Sequence, residues 1–382
     1  MPVKNWVAKT FQGLEEVLAE ELSKIGATDI EIATRAVLFK GNDEVMMKAH
    51  LYLATALNIL TPIADFSVDS FDDLYEKSLD IPWENYFSSQ KTFAVTQNIH
   101  SVKLNHSQYG ALRVKDAIAD RFRKVENKRP SVDREKPSIV IHVQVNEDKA
   151  RILLDASGEA LFKRGYRKAT GDAPINEVLA AGMIRLSGWN GNSTFVDPMC
   201  GSGTIAIEAA IYAHEIPPGI FRTHYAFLNW KAINLELWEK LYTEANRASK
   251  AKKVEIFAFD RFDDMLEKAK MNVESHRFLR KSIIFNKADF NTIEKPAESG
   301  IVMFNPPYGK RLDVDDVSGF YSKIGDVLKK KFTGYTAWII APEGAGAKSV
   351  GLKPSKKYSL FNGGIACKLL EIELYQGTRK SD

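Results

Sequence analysis

Residues 194–213 read TFVDPMCGSGTIAIEAAIYA, and this stretch decides the fold of the second half of the chain. The apolar run at 194–196 predicts the end of a buried strand that finishes at Asp197. A tight turn follows at 198–203, and apolar residues at helical spacing begin at Thr204. Strand, turn and helix in this order predict the first βα unit of a doubly wound parallel sheet.

The glycines of this turn suit a ligand site. Gly201 and Gly203 let backbone approach a ligand without an intervening Cβ, and a helix N-terminus presents unpaired N–H groups. Gly-x-Gly alone is also typical of a plain loop. A dinucleotide fold has a third glycine and a ribose acid about 20 residues further on. Here the third glycine is missing and the acid, Asp260, lies much further along, which disfavours NAD.

Polar residues follow four predicted strands of the region 169–382, in which strands and helices alternate: Asp197, Asp260, Asp289 and Asn305. In an open α/β sheet, ligands bind beyond the carboxyl ends of the strands. We therefore expect these residues to line one site, where Asp260 can accept hydrogen bonds from both hydroxyls of a ribose.

The sequence Asn305-Pro306-Pro307-Tyr308-Gly309 narrows the chemistry. Proline fixes φ and has no N–H, so the carbonyl groups here act as acceptors only. The Asn305 amide oxygen adds an acceptor, and Tyr308 adds a flat ring. Together they suit a planar base with an exocyclic NH₂ group, whose two hydrogens the Asn305 oxygen and the Pro306 carbonyl would accept. A rigid turn without a ligand role is the competing interpretation.

Composition limits the protein class. The chain has 382 residues, a net charge of +4, 45% hydrophobic residues and 27% charged residues, as in ordinary multidomain globular proteins. Cys200 and Cys367 are its only cysteines, so neither a disulfide framework nor a four-cysteine zinc site is expected. No long apolar run or charged-then-apolar leader is present. We therefore expect a cytoplasmic protein without a membrane span or a metal.

The region 1–60 mixes helix and strand patterns typical of an α+β ferredoxin-like module, with a second helix expected over 43–57. The region 61–165 predicts a second α+β unit, in which Ser70 and Asp73 occupy N-cap and N3 positions. At the far end, the turn Asn362-Gly363-Gly364 predicts an antiparallel hairpin at the sheet edge. Residues 214–230 are rich in proline and aromatic residues and predict an insertion over an edge of the sheet. Phe221, Tyr225 and Trp230 would cover that edge or form a lid over a bound base.

Basic residues are concentrated in two stretches, 113–136 and 162–168. Basic side chains interleaved with aromatic ones suit contacts to RNA phosphates and bases. A solvated helix face and a charged linker are the alternatives.

At this point the chain resembles a known family. DPMCGSGT, Asp260 and NPPYG are similar to the motifs of class I S-adenosylmethionine-dependent amino-methyltransferases, and 173–176 resembles the element before their first motif. With a front half resembling a ferredoxin-like segment and a THUMP domain, nearly the whole chain resembles THUMP-containing guanine-N2 methyltransferases of 23S ribosomal RNA. Such proteins are often labelled N6-adenine-specific DNA methylases. The chain resembles the N-terminal methyltransferase half of a fused enzyme, so a second modification is not expected.

The resemblance implies a Rossmann-like seven-stranded methyltransferase domain over 166–382, preceded by a ferredoxin-like segment over 1–60 and a THUMP RNA-binding domain over 61–165. It implies that the partner is RNA, most simply 23S rRNA or its precursor, and that S-adenosylmethionine is the cofactor. Asp260 would bind the ribose and Asp289 the adenine amino group. The catalytic group would be Asn305, Pro306, Pro307 and Tyr308, with Asn305 also near the cofactor. Further cofactor-binding residues would be Asp197, Pro198, Cys200, Gly201, Gly203 and Thr204.

Three alternatives stay open on the sequence: a tRNA guanine-N2 enzyme, an adenine-N6 enzyme, and a non-catalytic RNA-binding ribosome-assembly factor. Cys200 as a covalent nucleophile is disfavoured, because it lies inside the cofactor turn and no histidine partner is visible.

Overall fold

The computed structural model describes residues 2–104, 109–171, 174–307 and 317–375. They form two compact units. The first comprises Met1–Thr10, Ala19–Leu161 and Arg222–Thr243, and the second comprises Phe11–Leu18, Phe162–Phe221 and Glu244–Asp382. Within the described ranges, no helix is long and apolar enough to cross a membrane.

The helices of the described chain are, in order, α1 (Glu15–Lys24), α2 (Asp43–Tyr52), α3 (Phe71–Leu79), α4 (Tyr109–Glu126), α5 (Glu177–Leu186), α6 (Thr204–Ala213), α7 (Leu235–Arg247), α8 (Asp263–Val273), α9 (Arg277–Ser282), α10 (Val317–Lys331) and α11 (Ala345–Ser349). Side-chain caps set several of their starts. Asn42 Oδ1 accepts from Val45 N–H at 3.0 Å before α2. Before α3, Ser70 Oγ accepts from Asp73 N–H at 3.0 Å, which confirms the predicted cap.

The second predicted helix was too long. Its pattern predicts helix over 43–57, but α2 ends at Tyr52, because Leu53 turns to an extended conformation with ψ of 123°. The residues that follow α2 are held by a side chain that is distant in the sequence. The amides of Ala54 and Thr55 donate to the Glu21 carboxylate, and those long-range bonds replace helical ones.

The first unit is built on one seven-stranded sheet in the order β2-β3-β1-β4-β7-β6-β5. Its strands are β1 (Lys4–Lys9), β2 (Thr28–Ala33), β3 (Ala36–Gly41), β4 (Asn58–Ser67), β5 (Phe93–His100), β6 (Ile139–Asn146) and β7 (Lys149–Asp155). A buried apolar cluster that includes Phe87, Phe93 and Phe122 joins α4 to the β5–β7 part of this sheet. Strands of a ferredoxin-like and a second α+β module therefore continue into a single sheet.

The second unit carries a seven-stranded sheet in the order β10-β9-β8-β11-β12-β14-β13. Its strands are β8 (Thr194–Asp197), β9 (Ile256–Asp260), β10 (Ile283–Lys287), β11 (Gly300–Phe304), β12 (Tyr335–Pro342), β13 (Lys356–Asn362) and β14 (Ile365–Glu373). The first four of these and β12 run parallel. The last two strands pair antiparallel across Asn362 and Ile365, with β13 at the edge, so the hairpin prediction is confirmed. This is the predicted doubly wound, Rossmann-like sheet.

The prediction for residues 214–230 was partly wrong. Phe221 packs on Tyr166 in the second unit, with ring centroids 5.8 Å apart. From Arg222 to Thr243, however, the chain belongs to the first unit. There Tyr225 packs edge-on against His50 at 5.3 Å, and Trp230 stacks against Trp6 at 6.4 Å. Tyr225 and Trp230 thus pack within the first unit.

His50 is a buried neutral histidine in the first unit. Its Nδ1 lies 2.9 Å from Met46 O, and its Nε2 lies 3.0 Å from Ser157 Oγ. Ser157 Oγ already accepts from Ile59 N–H, so its own hydrogen is directed to Nε2. Both ring nitrogens are therefore satisfied in the neutral form. Burial, reinforced by the charge of Arg222 and opposed by Met46 O and Asp155, lowers the pKa of His50 from 6.5 to about 4.

We predict that acid destabilises the first unit through His50. The folded pKa lies below the unfolded one, so unfolding takes up a proton as pH falls from 6.5 towards 4. Between pH 7 and pH 5, His50 should lower the free energy of unfolding by about 2 kcal/mol. Urea unfolding of wild type and His50→Gln at both pH values measures it, because glutamine can form similar hydrogen bonds without titrating. An equal pH dependence in the two proteins would show that His50 does not carry this effect.

Candidate active site

The sheet order of the second unit brings the predicted site residues to one edge. β10, β9, β8 and β11 are consecutive neighbours and parallel, so their carboxyl ends meet on the same side. Asp197 and Asp260 are the last residues of β8 and β9, and Asn305 follows β11 directly. Asp289 lies two residues beyond β10. The expectation that these four strand ends share one side of the sheet is thus met by the topology.

Hydrogen bonds join the glycine turn to the neighbouring strand β9. Cys200 N–H donates to Phe259 O at 2.8 Å, and Gly201 N–H donates to Asp260 Oδ2 at 2.9 Å. Phe262 N–H occupies the other oxygen of Asp260, Oδ1, at 3.0 Å. Each oxygen of this carboxylate keeps a further lone pair, so Asp260 holds the turn in place and can still accept hydrogen bonds from hydroxyl groups.

Both glycines of the turn are required by geometry. Gly201 and Gly203 have φ of +52° and +86°, in the left-handed region that favours glycine. A Cβ on Gly203 would also meet the Ala269 Cβ of α8 at 3.1 Å. A Cβ on Gly201 would meet no atom within 4 Å, so the backbone of the turn borders open space there. This open side can receive a ligand against bare backbone, next to the start of α6 at Thr204.

Asp197 is buried, with 1% of its surface exposed, and neither carboxylate oxygen has a hydrogen-bond partner among the described residues. Burial raises the pKa of Asp197 well above its usual range. The nearby amides of Met199 and Ala206 oppose that shift without completing a hydrogen bond, and the charge of Asp260 reinforces it. A buried carboxyl without partners is costly in an isolated protein, so this position fits one that a bound ligand completes.

Asn305, which follows the neighbouring strand β11, also has a side-chain oxygen without a hydrogen-bond partner in the described chain. Its Oδ1 is buried and has no partner among the described residues. Pro306 is buried and Pro307 is half-buried, and neither has an N–H that could reach this oxygen. Tyr308, the fourth predicted catalytic residue, lies outside the described residues. The described part of the motif therefore supplies one buried side-chain acceptor without a donor from the described residues.

Only one carboxylate oxygen of Asp289 remains for a ligand. Its Oδ1 accepts from the backbone N–H of Asn291 at 2.9 Å and from the side-chain amide of Asn291 at 2.7 Å. Those bonds fold the turn after β10. The second oxygen, Oδ2, makes no hydrogen bond within the described chain, and it is the atom that an adenine amino group would use.

The environment of Cys200 does not suit a nucleophile. It is 8% exposed, and its Sγ lies 3.6 Å from Gly201 O. Burial, together with the charges of Asp197 and Asp260, raises the pKa of the Cys200 thiol well above its usual value. Because the thiolate is the reactive form, this cysteine is inert near neutral pH.

Two arginines of the basic stretch at 162–168 support the second unit from within, which corrects their predicted role in RNA contact. Arg164 and Tyr166 are both buried. They lie 3.4 Å and 3.0 Å from the carboxylate of Glu208 on α6. Arg167 donates to Glu177 Oε1 at 2.8 Å.

Arg167 also supports the glycine turn itself. Its guanidinium donates to Ser202 Oγ at 3.3 Å and to Thr204 Oγ1 at 2.9 Å. Buried Asn272 of α8 accepts from the amides of Lys168 and Ala169 and donates to Ser202 O. The segment before α5 is thus tied to the glycine turn from two sides, an arrangement that sequence reasoning missed.

Phe262 was also missed. Half of its side chain is exposed directly after Asp260, and the Arg261 guanidinium lies 4.5 Å from its ring centroid. An exposed aromatic ring directly after Asp260 offers a stacking surface for a heteroaromatic base.

Comparison with known proteins decides the family. Residues 164–371, more than half of the chain, match the family model described as "RMKL-like, methyltransferase domain". The chain belongs to this family. Residues 68–155 match the THUMP domain, and residues 5–60 match the RlmL ferredoxin-like domain. The predicted family resemblance and fold class are confirmed.

Relatives extend over the whole chain. A candidate RNA methyltransferase of Synechocystis sp. is 35% identical over 97% of both chains. The ribosomal RNA large subunit methyltransferase K/L of Syntrophotalea carbinolica is 34% identical over 98% of this chain. This chain covers only 54% of that relative, about half its length. A candidate methyltransferase crystallised with SAH is 30% identical over 99% of this chain and 100% of that chain, with a TM-score of 0.87.

This RMKL-like chain is therefore an RNA methyltransferase of the K/L type that uses S-adenosylmethionine, as the sequence predicted. The open side of Gly201, and the oxygens of Asp197 and Asn305 that lack partners among the described residues, fit such a cofactor and its acceptor.

Proposed function

We propose that this enzyme methylates the exocyclic N2 amine of a guanine in 23S ribosomal RNA. The observation that carries this proposal is the buried Asn305 Oδ1, an acceptor that has no donor among the described residues and is followed by two prolines. An exocyclic amine supplies the donors that this position lacks. The relative named for the ribosomal RNA large subunit supports the choice of 23S rRNA. Work on ribosomal RNA also suits the expected cytoplasmic location.

The cofactor would lie along the carboxyl edge of β8–β11. We assign its methionine end to Asp197, Pro198 and the backbone of 200–204, its ribose to Asp260 and its adenine amino group to Asp289 Oδ2. Backbone amides at the start of α6 and bare glycine backbone suit the polar groups of such a ligand. Asn305 borders this cofactor and the target base.

The chain's task in catalysis is to orient the amine. S-adenosylmethionine supplies an electrophilic methyl group on a sulfonium, so the protein need not activate the donor. The lone pair of a guanine amine is delocalised into the ring, which makes it a poor nucleophile. Asn305 Oδ1 and the Pro306 carbonyl would hold the two N–H groups and favour a pyramidal nitrogen. Orientation and preorganised acceptors then provide most of the rate enhancement.

No general base is needed before transfer, because the methylated ammonium is strongly acidic and loses its proton readily. The base must leave its stack to reach Asn305, and we assign the stacking surface to Tyr308. Pro307 fixes the backbone between these two side chains.

We propose the domain limits 1–60, 61–165 and 166–382, in which the first two parts hold the RNA. Exposed cations at the end of α4 are suited to this task. Of the nine basic residues in 113–136, Arg113, Lys115, Arg121 and Arg123 are committed to ion pairs with carboxylates. No ion pair within the described residues holds the other five, which are exposed: Lys124, Lys128, Arg129, Arg134 and Lys136. They form the α4 cationic cluster.

Removing part of this cluster should weaken RNA binding in a salt-dependent way. For Lys124→Ala/Lys128→Ala/Arg129→Ala, the slope of log K against log [salt] for single-stranded RNA should fall by about 2, since each lost phosphate contact removes about 0.7. Fluorescence anisotropy at several salt concentrations measures this slope.

The matched control is Lys40→Ala/Lys48→Ala/Lys77→Ala, which removes the same charge from lysines held in ion pairs. If both triple variants lower the slope equally, general charge and not the α4 cationic cluster explains the binding.

Transfer of labelled methyl from S-adenosylmethionine to purified RNA tests the proposed activity. With precursor 23S rRNA, nucleoside analysis should show labelled N2-methylguanosine. Label in N6-methyladenosine, or label in tRNA alone, would overturn the assignment. Binding of the precursor without any methyl transfer would support an assembly factor instead.

A further inference from the structure

The first unit contains a cavity that the proposed function does not use. Its volume is about 400 Å³, within the range of small-ligand sites. Lys4 and Asp43 lie on its wall, as do Tyr86, Trp230 and Ile233. All of its lining residues belong to the first unit.

The cavity forms where two strands diverge. β1 and β4 pair only from Val7↔Leu60 to Lys9↔Asn58. Beyond this point β4 follows β7, with a register shift between Pro62 and Ala64, while β1 remains paired with β3. The strands stay joined there through Thr61 Oγ1, which donates to Asn5 O at 3.1 Å. The opening is therefore set by the geometry of the sheet.

Tyr86 and Trp230 form an aromatic wall of the cavity, and contacts within the first unit hold this wall in place. Trp230 stacks on buried Trp6 with an interplanar angle of 3°. Lys231 N–H next to it donates to Tyr86 O at 2.9 Å. On the other side of Trp230, the Asn229 side chain accepts from Lys91 Nζ and donates to Ser138 O. A wall fixed on both sides loses little entropy when a planar ring packs against it.

The chemistry of the cavity favours an uncharged heteroaromatic ring. Lys4 Nζ, the one ammonium group on the wall, lies 2.6 Å from Asp43 Oδ1, so the wall carries no unpaired positive charge for a phosphate. Apolar side chains of Leu154 and Ile233 provide the rest of the packing surface. The indole N–H of Trp230 is buried without an acceptor among the described residues. A bound ring with an acceptor atom on its edge would supply the partner that this donor lacks.

We propose that this cavity binds an unstacked nucleobase of the RNA substrate, at a distance along the strand from the base that is methylated. The phosphates on either side would remain in solvent or contact the α4 cationic cluster of the same unit. This proposal rests on the RNA part of the proposed function and is independent of which atom receives the methyl group.

Ala232→Phe tests the proposal, because Ala232 is exposed on the cavity wall and a phenyl ring there would fill the space. The probes are fluorescein-labelled oligoadenylate and oligouridylate of about 12 nucleotides, a length within the range bound by single-strand modules. An RNA duplex of equal length, whose bases remain stacked, is the third probe. The variant should bind the single strands about tenfold more weakly, the expected loss for one stacked base, and bind the duplex as wild type does. Its slope of log K against log [salt] should not change, because no phosphate contact is lost.

Leu235→Phe is the control, since Leu235 is 53% exposed on the following helix and is outside the cavity lining. Crosslinking of RNA containing 4-thiouridine should label peptides that include Tyr86 or Trp230 in wild type and in the control, and not in Ala232→Phe. Unchanged single-strand affinity of Ala232→Phe, or an equal loss for duplex RNA, would overturn the proposal. Crosslinks confined to other peptides would also overturn it.

These readouts need no methyl transfer, so they separate this proposal from the guanine-N2 assignment. Label on another nucleoside would refute the guanine assignment and leave the base-binding result intact.

Discussion

Asn305→Ala should lower kcat by about 100-fold, the usual effect of removing one preorganised hydrogen-bonding group from an active site. The substitution removes a buried acceptor after β11 that has no partner among the described residues, and it leaves the glycine turn and Asp260 in place. Affinity for the cofactor should therefore stay within about twofold, because the loss is confined to the amine that is attacked. Single-turnover methyl transfer and calorimetric titration with S-adenosylhomocysteine measure the two quantities.

Asn192→Ala is the matched control, because this exposed asparagine precedes β8 at the opposite end of the sheet. It should retain wild-type kcat. A wild-type rate for Asn305→Ala would remove Asn305 from catalysis. An equal loss of rate and of cofactor affinity would make it a cofactor residue only.

Asp260→Ala should have the opposite signature, with cofactor affinity reduced by about 100-fold and a smaller change in kcat at saturation. Charge-assisted hydrogen bonds contribute about 1.5–3 kcal/mol each, and this carboxylate would lose its bonds to the ribose. It would also release Gly201 N–H and so loosen the turn. Asp260→Asn, which keeps one acceptor oxygen, should lose only about tenfold.

Asp264→Ala controls for loss of an acid nearby. Asp264 lies in the first turn of α8 and pairs with Lys268 on the surface, where such pairs are worth a few tenths of a kcal/mol. The cofactor affinity of Asp264→Ala should equal that of wild type. If Asp260→Ala also binds S-adenosylhomocysteine normally, the assignment of Asp260 to the ribose is wrong.

Features encoded by adjacent residues could be predicted from the sequence. The apolar run ending at Asp197, the two glycines and the prolines after Asn305 specify strand ends and turns locally. The topology then follows from alternating elements, because parallel strands need helical crossovers. The same holds for the hairpin at Asn362 and for the cap at Ser70, whose partners lie within a few residues.

Features that depend on distant partners could not be predicted. Arg167 resembles a surface cation in the sequence, and only folding brings it to Ser202 and Thr204. For Arg164 one signal was available: Glu208 is the only charged residue in α6, and an acid within an apolar helix indicates a buried cation partner. No local pattern shows that the chain after Arg222 joins the first unit, since proline and aromatic residues suit either location.

Methylation of guanine N2 in 23S rRNA is tested most directly by mass spectrometry of nucleosides from 23S rRNA and tRNA of a strain that lacks this gene. We predict that N2-methylguanosine falls in 23S rRNA by the equivalent of one site, returns with the wild-type gene, and does not return with Asn305→Ala. Loss of N2-methylguanosine from tRNA alone, or loss of N6-methyladenosine instead, would contradict it.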